Sequence, residues 1–181
     1  MRDLAQFDAD GYDRGRGRLW QALWHFVSFV FFQAFWLPRS WRPEILRLFG
    51  AQVGRGVIIR HDVRIMWPWK LSIGDDTWLG EGLRIVNLET IEIRANVCIS
   101  QGVMLCSGSH DYRKVSFPYR NRPIRICEAS WIAARAMVLP GVTIGAGVVI
   151  AAGETVRSNV PDDTLLINGE QRSIEAPAQA V

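Results

Sequence analysis

Residues 126–156 read ICEASW-IAARAM-VLPGVT-IGAGVV-IAAGET-V, and every hexad opens on an aliphatic residue: Ile126, Ile132, Val138, Ile144, Ile150 and Val156. Four places further on stand mostly small or apolar residues, Ser130, Ala136, Val142, Val148 and Val160, with Glu154 the exception. The place just after the aliphatic is often small, as at Ala133, Gly145 and Ala151. A period of six is neither the 3.6 of a helix nor the 2.0 of an amphipathic strand. It fits a short flat strand, a corner and another strand, with one aliphatic side chain turned inward on each face. Three hexads close one triangular coil. A β-sandwich with ordinary turns would not hold one phase over so many steps.

The same step recurs upstream at Val53, Ile59 and Ile65, at Ile73, Leu79 and Ile85, and at Ile93, Ile99 and Leu105. Its phase slips by two at Leu71-Ser72 and again at Ile91-Glu92, and it breaks for longer over 111–125. The blocks 53–70, 73–90, 93–110, 126–143 and 144–161 therefore predict an all-β parallel helix of about five triangular coils. With strands about 4.8 Å apart the prism would stand roughly 24 Å tall. This domain is expected over 51–165, with 166–181 as a C-terminal tail and 1–50 as an N-terminal helical appendage.

Within that appendage, residues 1–18 are polar and read as a flexible lead, with Gly11, Gly15 and Gly17 among Arg14, Arg16 and Arg18. Residues 19–37 are almost wholly apolar and aromatic until Pro38 stops them. A short second helix is expected around 43–49, with Pro43 in its first turn and Gly50 just past its end. The apolar stretch is barely the length of a bilayer core, and arginines flank both ends, so they set no orientation. Gln21, His25 and Ser28 make a thin polar stripe along it. Two placements are open: the helix lies on a membrane surface, or it packs across the base of an oligomer. No small-residue cleavage site follows, so a signal peptide is not expected.

Composition excludes other classes. Lys and Arg number 21 against 18 Asp and Glu, a net charge of +3, too mild for a nucleic-acid partner. Hydrophobic residues at 49% and charged residues at 22% exclude disorder. Cys98, Cys106 and Cys127 form no CxxC pair and no even-numbered framework, so a disulfide-held fold is not expected.

The hexads resemble the hexapeptide-repeat acyltransferases over roughly residues 50–170. Cys106-Ser107-Gly108-Ser109-His110-Asp111-Tyr112, Trp131-Ile132-Ala133-Ala134 and Pro140-Gly141-Val142-Thr143-Ile144-Gly145 are similar to the sugar O-acetyltransferase branch. Leu46-Arg47-Leu48-Phe49-Gly50-Ala51 and Trp67-Pro68-Trp69-Lys70-Leu71 resemble the colanic-acid-biosynthesis acetyltransferases within it. The sequence departs at Ala133, where the branch commonly has Gly, and at Asn168-Gly169-Glu170, where a Gly-Asn-Pro-like turn is usual. It departs again at Gly80, where galactoside acetyltransferases carry an acceptor-side Asn, and at Glu154, where a small hydroxyl residue is usual.

This resemblance implies a left-handed helix, a homotrimer, and direct acetyl transfer from acetyl-CoA to a sugar hydroxyl. Such transfer needs a base for the hydroxyl and an acid for the departing thiolate, and one imidazole can serve as both. His25 lies in the aromatic segment and His61 in the first coil; His110 ends the third coil, just before the long excursion, and is the expected base. Cys106 as a nucleophile is the lesser route. For the coenzyme, the resemblance implies Trp131 along the pantetheine arm and the backbone at Ala134 and Ala152 bonding it. Arg157 and Arg172 are candidates for its phosphates. Asn87, Asp111 and Tyr112 are the expected acceptor contacts. No metal is expected, because zinc catalysis needs about three protein ligands and only His61 and His110 lie in the prism. Exopolysaccharide or other cell-surface glycan synthesis in the cytoplasm, with possible attachment to the inner face of the membrane, is the leading reading. A small-molecule or xenobiotic acetyltransferase and an inert hexapeptide scaffold are the alternatives.

Overall fold

The computed structural model describes residues 3–7, 9 and 12–174 of the chain. Five complete coils stack along one axis, each contributing one short strand to each of three parallel sheets. The first coil is β1 (Gln52–Val53), β2 (Ile58–Ile59) and β3 (Arg64–Ile65); the second is β4 (Leu71–Ile73), β5 (Trp78–Leu79) and β6 (Arg84–Val86). The third is β7 (Ile91–Ile93), β8 (Cys98–Ile99) and β9 (Met104–Cys106); the fourth is β10 (Ile124–Ile126), β11 (Trp131–Ile132) and β12 (Met137–Val138). The fifth is β13 (Thr143–Ile144), β14 (Val149–Ile150) and β15 (Thr155–Val156). A sixth begins with a bridge from Val160 to Ile144 and continues in β16 (Thr164–Ile167), which pairs with β14.

The hexad aliphatics sit directly above one another. Val53, Ile73, Ile93, Ile126 and Ile144 form the column of the first sheet. Ile59, Leu79, Ile99, Ile132, Ile150 and Leu166 form that of the second. Ile65, Ile85, Leu105, Val138 and Val156 form that of the third. Apart from Val53 all are buried, so the prism is filled by three files of branched side chains rather than by a layered sandwich core.

Corners are kept narrow by residues with little or no side chain. A Cβ placed on Gly80 would lie 2.6 Å from the carbonyl carbon of Ser100 in the next coil, so no side chain fits there. Gly80→Ala is therefore expected to destabilise by about 3 kcal/mol, since two coils must part. Gly17→Ala, with no atom within 4 Å of the added carbon, should change stability by less than about 1 kcal/mol. Thermal unfolding of the pair checks both.

Between Ile65 and Ile73, and again between Ile85 and Ile93, the step lengthens from six residues to eight. Both added pairs fall on the same edge of the prism, between the third and first sheets. The 3₁₀ turn Pro68–Lys70 fills the first, and the long excursion leaves from that same edge two coils above it. The two phase slips thus mark one long edge.

The N-terminal appendage closes the base. Helix α1 (Arg18–Val27) runs on through a wider π turn at Ser28–Phe32 and is followed by α2 (Trp41–Leu48). Trp24, Phe32, Leu46 and Phe49 join the core of the first coil. The polar groups on this side satisfy the open edge of that coil: Trp24 Nε1 donates to the Ile65 carbonyl at 3.0 Å, the Gln33 carbonyl accepts from the Asp62 N–H at 3.0 Å, and Arg47 donates to the carbonyls of Val53 and Gly54.

The lead is docked rather than loose where it is described. The Trp67 indole donates to the Tyr12 hydroxyl at 2.6 Å, that of Trp69 to the Arg14 carbonyl at 2.6 Å, and the Asp3 N–H donates to the Val115 carbonyl at 3.0 Å. At the other end the expected tail start at 166 falls inside β16. There β17 (Glu170–Ser173) folds back antiparallel and carries charged residues on the last edge.

Candidate functional site

The excursion on the long edge is a two-stranded arm. At its root Ser107, fully buried, donates to the Glu89 carbonyl at 2.9 Å and accepts from the Glu89 N–H at 2.8 Å. Above it the Arg122 N–H donates to the Ser107 carbonyl (2.9 Å) and the Arg120 N–H to that of Ser109 (2.7 Å). His110 and Tyr119 then pair as an antiparallel bridge. The tip turns on Asp111, whose carboxylate accepts from the Arg113 N–H at 3.1 Å.

The arm fixes the His110 ring on two counts. Phe117 stacks on it at 4.3 Å with planes 4° apart, and Tyr119 stacks at 4.8 Å. His110 Nδ1 lies 2.9 Å from the Phe117 carbonyl oxygen. A carbonyl can only accept, so Nδ1 carries a proton, and in the neutral ring Nε2 is the nitrogen with the free lone pair. Phe117 reaches this position with φ of 46°, in the left-handed region that bulky residues seldom enter. Local backbone strain is thus spent on orienting one imidazole.

Next to Tyr119, which stacks on His110, a cleft of about 520 Å³ opens between the arm, the long edge and the docked lead, lined by Tyr12, Asp13, Lys70, Glu89, Tyr119 and Asn121 among others but not by His110 itself. Its walls are aromatic and polar, the chemistry that holds a hydroxylated ring. Lys70 Nζ donates to the carbonyls of Asp13 (2.5 Å) and Leu88 (2.7 Å) and sits over the Tyr12 ring, tying lead to edge. Burial pushes the Tyr12 phenol pKa up, against the lowering by its bond from Trp67, so this wall stays neutral.

Of the expected acceptor contacts, Asp111 and Tyr112 stand at the arm's tip, the one capping its turn and the other exposed beside Arg113. Asn87 requires a correction. It is fully buried, its Oδ1 accepts from the Trp67 N–H at 2.9 Å, and its Nδ2 donates to the Trp67 carbonyl at 2.6 Å. It shapes the long edge and has no face left for an acceptor. Asn87→Ala should cost about 2–4 kcal/mol, because it orphans both backbone groups of Trp67; chemical denaturation would measure it.

Of the expected coenzyme contacts only Arg157 falls on the edge between the third and first sheets, two coils above the arm. Trp131 is half exposed on the second sheet, its Nε1 donating to Ser100 Oγ at 2.9 Å. Ala134 and Ala152 occupy stacked corners between the second and third sheets, linked by the Gly153 N–H to the Ala134 carbonyl. Arg157 is exposed in the corner after β15, and Arg172 in β17 pairs with Glu170 at 2.9 Å. Hence Ala134 and Ala152 are stacked in one corner, and Trp131 lies on the second sheet that leads into it, away from the edge that carries His110. His61 pairs with Glu81 at 3.3 Å, and among the described residues no cluster of three metal-ligating side chains forms.

Comparison with known proteins agrees with this architecture. The family model for bacterial transferase hexapeptide (six repeats) matches residues 123–154. The chain is 40% identical over 164 residues to the putative colanic acid biosynthesis acetyltransferase WcaF of Escherichia coli, covering 89% of each chain. It is 30% identical over 128 residues to the galactoside O-acetyltransferase of the same species, covering 68% of this chain and 63% of that one. Among solved structures, a hexapeptide-repeat acetyltransferase from Vibrio cholerae complexed with acetyl coenzyme A superposes with a TM-score of 0.81. It is 23% identical, with 94% of this chain and 97% of that one covered.

Proposed function

The chain belongs to the hexapeptide-repeat acetyltransferases, and from that membership we propose that it moves an acetyl group from acetyl-CoA to a sugar hydroxyl brought to His110 on the arm. The observation that carries this reading is the tautomer at His110: with Nδ1–H committed to the Phe117 carbonyl, Nε2 is the free base. Nε2 takes the hydroxyl proton as the alkoxide oxygen bonds to the thioester carbon. The carbon–sulfur bond then breaks, and the imidazolium returns the proton to the departing thiolate. No acyl-enzyme is needed. The names of the similar proteins, colanic acid biosynthesis and galactoside O-acetylation, support a glycan acceptor.

A second copy completes the site in this proposal. His110 and the cleft lie on the long edge, whereas Trp131 lies on the second sheet and Ala134 and Ala152 at the corner that follows it. A homotrimer that sets one chain's long edge against its neighbour's other edge joins base and thioester. The active species should therefore sediment as a trimer, and an active monomer at assay concentration would sink the arrangement.

The test of function is thiol release from acetyl-CoA in the presence of free, nucleotide-linked and lipid-linked sugars. Acceptor-dependent release that His110→Ala abolishes supports the reading. Tight coenzyme binding with no release on any sugar would point to a non-glycan acceptor, and no binding at all to an inert scaffold.

A further inference from the structure

The segment closing the base buries a mixed polar and aromatic face against the prism and turns most of its apolar residues outward, with His25 exposed as well. Gln21, Trp24, Ser28 and Phe32 are buried against the first coil. Leu19, Leu23, Phe26 and Val30, spaced i, i+4, i+7 and i+11, lie exposed on the far side of the helix. Phe29 and Phe35 are each 82% exposed. Phe26, Phe31 and Trp36 form a continuous run across this face, with the Phe26 and Phe31 rings 6.4 Å apart and those of Phe31 and Trp36 6.0 Å. An apolar surface of this kind is uncommon on a protein that meets only water.

The ridge is rigid and bordered by cations. Buried Arg42 donates to the carbonyls of Phe32 (3.0 Å) and Ala34 (2.6 Å), fixing the turn that displays Phe31 and Phe35. Arg18 opens α1, and Arg39 and Arg60 line one hollow with Phe35. None of these three makes an ion pair among the described residues, while Glu44 in α2 is already held by Arg47. No helix among the described residues is long and apolar enough to cross a membrane.

From this juxtaposition we infer that the outward face of residues 19–39 docks on the headgroup layer of an anionic lipid bilayer. Aromatic rings enter the acyl boundary, and Arg18, Arg39 and Arg60 meet lipid phosphates. A self-complementary contact with a second copy would set these cations against one another, whereas an anionic surface offers each a counter-charge.

Flotation of the full-length protein tests it, using vesicles of equal parts phosphatidylcholine and phosphatidylglycerol beside vesicles of phosphatidylcholine alone. The protein should float with the anionic vesicles and far less with the neutral ones. Phe29→Ser with Phe35→Ser should lower partition roughly a hundredfold, and Arg39→Gln about fivefold. All three side chains are exposed, so circular dichroism should not change. Protein that stays at the bottom of the gradient with both vesicles overturns the inference. So does a double variant that sediments as a smaller species without lipid, which would assign the face to a neighbouring copy. Equal flotation with both vesicles would remove the anionic requirement and refute the proposal as stated.

Discussion

Replacing His110 by alanine is expected to lower kcat by roughly 10²–10⁴-fold, the usual contribution of a positioned general acid–base. The ring also stacks on Phe117 and Tyr119, so part of any loss could come from a loosened arm. His110→Gln separates the two effects, because its amide can still donate to the Phe117 carbonyl while offering no base of comparable strength. If proton transfer is the role, both variants fall together in kcat with KM for acetyl-CoA little changed. Steady-state kinetics on protein with an unaltered circular dichroism spectrum decides it. Turnover comparable to the parent in a folded His110→Ala protein would end the assignment.

Trp24→Ala should produce the largest loss of stability. Its side chain is completely buried between Phe32 and Phe49, at ring separations of 5.5 and 5.1 Å, and its Nε1–H satisfies the Ile65 carbonyl on the edge of the first coil. Truncating a buried aromatic costs about 3–5 kcal/mol, and the orphaned carbonyl adds about 1 kcal/mol or more. For a chain of this size that is a fall in Tm of about 10–20 °C. Trp36→Ala, at a half-exposed position of the same segment, should shift Tm little. Scanning calorimetry on the two variants would show whether the appendage and the prism unfold as one unit.

The β-helix could be read from sequence because each inward side chain stacks on its own equivalent one coil below. Ile132 between Ile99 and Ile150 meets the same demand at every level, so the demand appears as a period. The two phase slips were visible as well, but not their common edge, which needs the register of three sheets at once. Asn87 was misread for a related reason. A polar residue in a corner suggests exposure, yet the lengthened corner folds Trp67 back over it and uses up its amide. The lead showed no periodicity because it docks through the carbonyls of Asp13 and Arg14 and one phenol, groups that leave no pattern. Tyr12, Lys70 and Glu89 therefore escaped notice as cleft residues. The buried face of the N-terminal segment mixes Gln21 and Ser28 with Trp24 and Phe32, because the first coil offers both an open backbone edge and its apolar core, so no simple amphipathic stripe marked it in the sequence.

The edge between the third and first sheets varies in length while the three aliphatic files keep their register. Residues 66–70, 86–90 and 107–123 therefore behave as interchangeable inserts on an invariant rail. Swapping these three segments together for those of another chain built on the same coils should exchange the acceptor without retuning the core. Moving the arm alone should fail, because Ser107 is pinned to Glu89 of the neighbouring insert and Lys70 to Leu88. If the proposed acceptor site is right, the three inserts act as one cassette, and a change in any one of them should need compensating changes in the other two.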